Sequence, residues 1–427
     1  MKRYDVILFG AGCRGKIYTD EMIKLPSQFR IVAVAEPIKE RRDYVKEKFN
    51  IPDEMCFETW EDVVKLPKFA DLVINATMDQ MHYESTIPVI KLGYDVLLEK
   101  PISNDVNECA RIAMCAKEHG VKIMVCHVLR YCSYYYALKE YLKLGKLGKI
   151  MSISHIEEVG NLHQSHSFVR GNWGNSDRTS PMILQKSCHD MDLLQWLVGK
   201  KVKNVQSFGS LTYFTEENAP EGAPDYCIDG CPHADTCYYN AVKLYYDDKE
   251  NSWFRGMAAQ TPDNPPDELV EKALHDTQYG KCVYKCDNNV VDHQTVNLEF
   301  EDGTTAVFTM CAFNKGGRRT EIMGTDGHLI CDMERNITTF FDFKTREFED
   351  IKLIESTTKG DITGGHGRGD TGIVEALYEY LEGKLSADEV SEIGISCQNH
   401  LIAFAAEEAR VTSKVISFDE YEERMMK

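Results

Sequence analysis

Short apolar runs alternate with amphipathic stretches through the first third of the chain. Val6-Ile7-Leu8-Phe9, Ile31-Val32-Ala33-Val34-Ala35, Leu72-Val73-Ile74-Asn75-Ala76, Val96-Leu97-Leu98 and Ile123-Met124-Val125 are almost uninterrupted by polar residues. Strands of that kind are covered on both faces, and the helical stretches between them predict a parallel, doubly wound α/β sheet over residues 1–128. Beyond Tyr131 the pattern changes. Met151–Ile156, Thr295–Phe300 and Thr305–Met310 read as strands, and Glu301-Asp302-Gly303-Thr304 joins the last two as a hairpin turn. Residues 129–427 are therefore expected to form an α+β domain on a largely antiparallel open sheet. Between about 215 and 289 the periodicity fades into a stretch rich in Pro, Gly, Cys and acidic residues, expected as an insertion that needs a staple. From about Asp370 to Thr412 the pattern is helical, with Ile373, Ala376, Leu377 and Tyr380 on one stripe.

Composition narrows the partners. With 43% apolar residues the chain can bury two cores, and 49 Lys+Arg against 68 Asp+Glu leave a net charge of −19. That charge repels nucleic-acid phosphates and anionic membrane surfaces, so neither partner is expected. Met1-Lys2-Arg3-Tyr4-Asp5 leads straight into a strand without a signal-peptide pattern, and no apolar run reaches the ~18 residues of a membrane span, so a cytoplasmic location is expected. Most of the fifteen cysteines read as small buried hydrophobes.

Chemistry first becomes legible at Gly10-Ala11-Gly12-Cys13-Arg14-Gly15, which closes the first strand and opens a helix. Gly10 allows the tight turn, Gly12 the approach of a pyrophosphate, and Gly15 the close packing of helix on strand. Glu36 ends the second strand, where a carboxylate accepts hydrogen bonds from both ribose hydroxyls and repels a 2′-phosphate. NAD is the expected cofactor, while Arg14 and the basic residues after Lys39 keep NADP open.

Glu99-Lys100-Pro101 follows the fourth apolar run, Ala76-Thr77-Met78-Asp79-Gln80-Met81-His82 the third, and Ser187-Cys188-His189-Asp190-Met191-Asp192 precedes Leu193-Leu194-Gln195-Trp196-Leu197. With the glycine loop, these segments resemble the Gfo/Idh/MocA family of sugar and polyol dehydrogenases. The resemblance implies a cofactor site that adds Thr77, His82, Glu99, Lys100 and Pro101 to Gly10, Gly12, Cys13, Arg14, Gly15 and Glu36. It also implies that Lys100 stands beside the nicotinamide and the reacting hydroxyl, and that His189 takes the hydroxyl proton. The family pattern has an aspartate four residues before that histidine; this chain has Gln185, followed by Lys186. The base is therefore assigned to the group Lys100, Lys186 and His189. For a polyhydroxylated substrate, His163, Arg170, Asp190, His293 and His366 are the candidate ligands, the last within Gly364-Gly365-His366-Gly367-Arg368-Gly369-Asp370.

Cys227-x3-Cys231-x5-Cys237 and Cys282-x3-Cys286 concentrate five thiols in the insertion. Structural zinc held by Cys227, Cys231, Cys237 and either Cys282 or Cys286 would fasten it, with an iron–sulfur cluster or free thiols as alternatives. The leading function is an NAD-dependent oxidoreductase acting on a secondary hydroxyl of a sugar, polyol or glycoside. The resemblance also implies a redox-cycling glycosidase, which oxidises, eliminates, hydrates and reduces on one bound NAD, or a non-catalytic NAD-binding regulator. It further suggests a homodimer or homotetramer.

Overall fold

A computed structural model of the protein describes residues 2–261, 264–354 and 365–425. Gly364 of the glycine-rich run and residues 262 and 263 of the insertion lie outside the described residues.

The N-terminal half is a six-stranded parallel sheet: β1 (Tyr4–Phe9), β2 (Phe29–Ala35), β3 (Cys56–Phe57), β4 (Leu72–Asn75), β5 (Asp95–Leu98) and β6 (Ile123–Val125), ordered β3-β2-β1-β4-β5-β6. Val6, Ile7, Leu8 and Phe9 are all fully buried, as expected of a central strand covered on both faces. The strand order reverses between β1 and β4, so a crevice opens beyond their carboxyl ends, where ligands bind in open α/β sheets. Two residues of β3 were too few to show in the pattern.

The second half carries a nine-stranded sheet of β7 (Ile150–Glu158), β8 (Val202–Ser210), β9 (His293–Phe300), β10 (Thr305–Cys311), β11 (Gly317–Gly324), β12 (Gly327–Asp332), β13 (Ile337–Asp342), β14 (Phe348–Asp350) and β15 (Ile416–Ser417). The order is β14-β13-β12-β11-β7-β10-β9-β8-β15, antiparallel throughout except for the β7–β10 pair. The β9–β10 hairpin forms as the sequence indicated, with Gly303 at φ +84° and Phe300 N–H bonded to Thr304 O at 2.8 Å. One face of this sheet packs on the helices Cys188–Val198 and Ile393–Thr412 through Val205, Leu298, Phe308, Leu193, Leu197, Leu401 and Ala405. Phe208, Val307 and Ile330 stand exposed on the other face.

The chain then returns to the first sheet. Helix Gly365–Leu381 buries Ile373, Leu377 and Tyr380 in the core that holds Tyr4, Val6 and Leu8. The expected insertion is more ordered than its composition suggested. Helices Ser252–Ala259 and Asp267–Asp276 enclose an apolar cluster of Tyr245, Phe254, Val270, Leu274 and Tyr279. No helix among the described residues is long and apolar enough to cross a membrane.

Candidate active site

The glycine loop crosses the crevice between β1 and β4. Gly10 has φ +81°, and a Cβ there would meet Ala76 O at 2.4 Å; at Gly15 it would meet Gly10 O at 2.0 Å. At Gly12 the nearest atom would be Arg41 Nη1 at 3.9 Å, so that glycine faces open space. Gly12 also precedes helix Cys13–Met22 without any side-chain cap, which leaves the helix's first N–H groups free for an anion. Glu36, buried at 4% exposure, accepts from Ala11 N–H at 2.7 Å and from Ile38 N–H at 2.9 Å. These residues fit a dinucleotide: an anion cradle at Gly12 and a carboxylate beside the ribose position.

Arg14 points inward. Its Nε donates to Glu99 Oε1 at 2.8 Å and its Nη2 to Asp370 Oδ1 at 2.7 Å, while Tyr18 O–H donates to the same Glu99 oxygen at 2.6 Å. Burial alone would raise the Glu99 pKa, but Arg14, Lys100 and Tyr18 hold it below the usual carboxylate range. Two of the three guanidinium nitrogens of Arg14 are thus spent on carboxylates, and the third, Nη1, is buried without a partner among the described residues. Asp370 also meets His366 Nδ1 at 3.1 Å, so Glu99-Arg14-Asp370-His366 tie the end of β5 to the start of helix Gly365–Leu381. His82 spends its ring nitrogens on Pro101 O (2.7 Å) and Thr77 O (3.1 Å), and Thr77 bonds Asn75 Oδ1 from both N–H and Oγ1.

Lys100 follows β5 directly, and its Nζ donates to Gln185 O at 2.8 Å and Gln185 Oε1 at 3.0 Å. The residue standing in for the family aspartate is thus the lysine's partner, through an amide. Four residues on, His189 begins the helix Cys188–Val198 at 7% exposure, and its Nδ1 has no partner among the described residues. Burial, with Lys100, His127, Arg318 and His366 around it, lowers the His189 pKa well below the usual histidine value, leaving a neutral imidazole. The same physics acts on His163: burial first, then Lys186, His166, Lys100 and His366, push it well down. Lys100, Lys186, His163, His189 and His366 therefore share one electrostatic neighbourhood, brought there by four separate segments.

Beneath this group lies a buried ion network. Lys186 Nζ pairs with Glu157 Oε1 at 3.1 Å; Arg318 bridges Glu157 Oε2 (2.5 Å, from Nη2) and Asp190 Oδ1 (2.8 Å, from Nε). His155 Nε2 meets the same Asp190 oxygen at 3.0 Å, while Oδ2 has no partner among the described residues. Asp190 thus supports the His189 helix from below. Burial opposes its ionisation, yet Arg318 and His155 hold its pKa below the ordinary range. Glu157 is raised, burial outweighing Arg318 and Lys186.

Two other candidates stand elsewhere. His293 is half-exposed and bonds Asp292 at 2.7 Å. Arg170 is fully buried among the insertion's thiols, donating to Lys281 O (2.8 Å) and Tyr239 O (2.7 Å) and facing Cys227 Sγ at 3.8 Å. Cys227, Cys231, Cys237 and Cys282 line a cavity of about 20 Å³ beside it, while Cys286 Sγ–H meets Cys282 O at 3.4 Å. The expected zinc set is not formed: among the described residues no three or more His, Cys, Asp or Glu side chains are placed to hold a metal ion. The staple observed instead is the Arg170 guanidinium, which joins the two cysteine-bearing stretches, together with apolar packing of Val169, Phe214, Tyr239, Val283 and Tyr284.

Sequence reasoning missed His127, Glu157, Arg318 and Trp253. His127 follows β6 as Lys100 follows β5, and that position at a strand's carboxyl end was the available signal. Its ring meets His189 edge-on at 5.7 Å and His400 at 5.4 Å, and neither nitrogen has a partner among the described residues. Glu157 and Arg318 gave no local signal, because inward charges on strands explain themselves only as a pair.

Residues 4–127 match the family model described as oxidoreductase family, NAD-binding Rossmann fold, and residues 139–385 the one described as oxidoreductase family, C-terminal alpha/beta domain. A Bacillus subtilis (strain 168) protein named as an oxidoreductase, YteT, is 23% identical over 84% of this chain and 84% of its own length. Inositol 2-dehydrogenase of Corynebacterium glutamicum (strain R) is 26% identical over 48% of this chain, a match spanning only 57% of that enzyme. The structure of scyllo-inositol dehydrogenase from Lactobacillus casei, with bound NAD(H) and scyllo-inositol, superposes with a TM-score of 0.66 at 17% identity, covering 98% of this chain and 100% of that one. With both of its halves matched, the chain belongs to the Gfo/Idh/MocA family of oxidoreductases.

Proposed function

We propose that the protein transfers hydride between NAD and a secondary hydroxyl carbon of a sugar, polyol or glycoside. The observation that carries this reading is the buried His189 beside Lys100 at the mouth of the β1/β4 crevice, its Nδ1 without a partner among the described residues and its pKa lowered by burial. Bound NAD would supply the hydride acceptor, cradled by Gly10, Gly12 and the N-terminus of helix Cys13–Met22, with Glu36 on the ribose. Lys100, steadied by Gln185, donates a hydrogen bond to the substrate oxygen and stabilises the charge that develops there. His189, as a neutral imidazole, accepts the hydroxyl proton. Lys186 and His366 face the same space and bind neighbouring hydroxyls, with His163 behind them. Glu36, together with an Arg14 already committed to Glu99 and Asp370, favours NAD over NADP.

The test is NADH formation at 340 nm over a panel of sugars, inositols and glycosides with NAD and NADP. Tight NAD binding without turnover on any of them would overturn the catalytic reading in favour of a regulator. The extra neutral histidines, His163 and His366, favour a second reading in which the same hydride is returned after glycoside elimination. Aglycone release without NADH accumulation would identify it.

We also read the exposed sheet face as the self-association surface of a homodimer or homotetramer. A shallow groove of about 270 Å³ crosses it, lined by residues that include Val307 and Val415. Light scattering of Val307→Lys checks this: a mass unchanged from the parent oligomer, or a monomeric parent, would refute it.

A further inference from the structure

Helix Ser252–Ala259 of the insertion carries Trp253 onto the active site. Its indole meets the His163 ring edge-on, centroids 5.5 Å apart at 81°, and lies 5.1 Å from His166. Phe254 stacks on His166 at 4.3 Å, and Tyr279 closes the cluster 5.3 Å from the same ring. On its other side Trp253 borders the thiol of Cys13, the first residue of the uncapped helix. The indole N–H is shielded from solvent, and what it approaches is the weak acceptor of the Cys13 sulfur, short of full hydrogen-bonding geometry. Tyr279 in turn neighbours Arg41, whose guanidinium overlooks the open space at Gly12. Trp253 thus borders the glycine loop, and Tyr279 faces the Arg41 that reaches it.

We propose that Trp253 is a cofactor-binding residue, its indole N–H donating to a pyrophosphate oxygen of the dinucleotide held at the glycine loop. A buried donor left with only a thiol sulfur is poorly satisfied, and that is tolerated where a ligand supplies an oxygen. An indole only donates, which suits an anion gathered by helix N–H groups better than a hydroxyl that must also donate. The insertion then closes over the dinucleotide, and release of the cofactor requires the helix Ser252–Ala259 to lift. The inference rests on the NAD-dependent reading of the same crevice.

The experiment compares Trp253→Phe with the full-length parent by calorimetric titration of NAD, ADP-ribose and adenosine. Trp253→Phe keeps the ring against His163 and removes only the donor. NAD and ADP-ribose should each bind about tenfold more weakly, the loss of one hydrogen bond to a charged group, while adenosine affinity stays within twofold. Equal affinities for NAD in parent and variant would overturn the proposal, as would an equal loss for adenosine, which marks a merely structural role. A loss confined to the KM of the sugar would move the donor to the substrate and also overturn it. A parent that binds neither NAD nor ADP-ribose would refute the NAD-dependent reading itself. As a check independent of the variant, bound NAD should slow proteolysis between residues 240 and 280 of the parent; unchanged cleavage counts against the closure.

Discussion

Replacing Arg318 by Met tests whether the ion network under the active site holds it together. Arg318 is 7% exposed and pairs with two carboxylates, Glu157 at 2% and Asp190 at 0% exposure. Met keeps much of the volume, so the loss is charge rather than a cavity. Glu157 then has only Lys186 and Asp190 only His155. Removing one partner of a buried ionic set costs about 3–5 kcal/mol, because the remaining charges stay desolvated. For a domain of this size that lowers the melting temperature by on the order of 5–10 °C. Asp190, whose native pKa is depressed, contributes fully above the unfolded carboxylate value of about 4 and loses that contribution only as pH falls through the native value, so between about pH 5 and 8 the pH dependence is set by Glu157. Glu157, already raised by burial, rises further without Arg318 and takes up a proton nearer neutrality. The gap between parent and variant should therefore be widest near pH 8 and narrow toward pH 5, measured by thermal melts followed by circular dichroism. A gap under about 1 kcal/mol, or one of constant size across that range, would refute the reasoning.

Other substitutions probe the site directly. His189→Asn should lower kcat about 10²- to 10⁴-fold with NAD affinity unchanged. Because the His189 pKa lies well below the usual value, the parent's kcat should hold its plateau through pH 6.5 and fall only in more acidic buffer. Gly12→Ala should leave the melting temperature alone, since its Cβ meets open space, yet abolish NAD binding; Gly15→Ala should destabilise the protein through contact with Gly10 O, and both effects are read by melting with and without NAD. Arg170→Met should speed protease cleavage within residues 215–289 at least several-fold while activity under non-digesting conditions falls little, because the guanidinium joins Lys281 and Tyr239 across the insertion. Glu36→Ala should narrow the preference for NAD over NADP, compared through kcat/KM for each cofactor.

The parallel sheet was readable because its central strands are apolar on both faces, a signal that survives in one dimension. The glycine loop was readable for a related reason: a turn at φ +81° and a helix packed against Gly10 O allow no side chain, so steric limits are written in residue type. Lys100 and His189 required the family resemblance, since a lysine after a strand and a histidine on a helix have no local signature. Arg170 and Asp190 had the polarity of ligands and proved to be partners of buried groups, because donors suited to sugar hydroxyls suit carbonyls and carboxylates equally well. Periodicity failed in the insertion, where short helices pack on their own aromatic residues.

By itself the sequence determined the class of fold, the dinucleotide loop and the choice of carboxylate at Glu36, all of which follow from residue pattern and backbone sterics along the chain. Tertiary structure decided which polar groups meet. It drew Lys100, Lys186, His163, His189 and His366 together from four segments, sank Arg318 between two carboxylates, and set Trp253 against Cys13. Local propensity follows backbone sterics and side-chain periodicity, whereas charge pairing and desolvation depend on distances that exist only after the chain has folded.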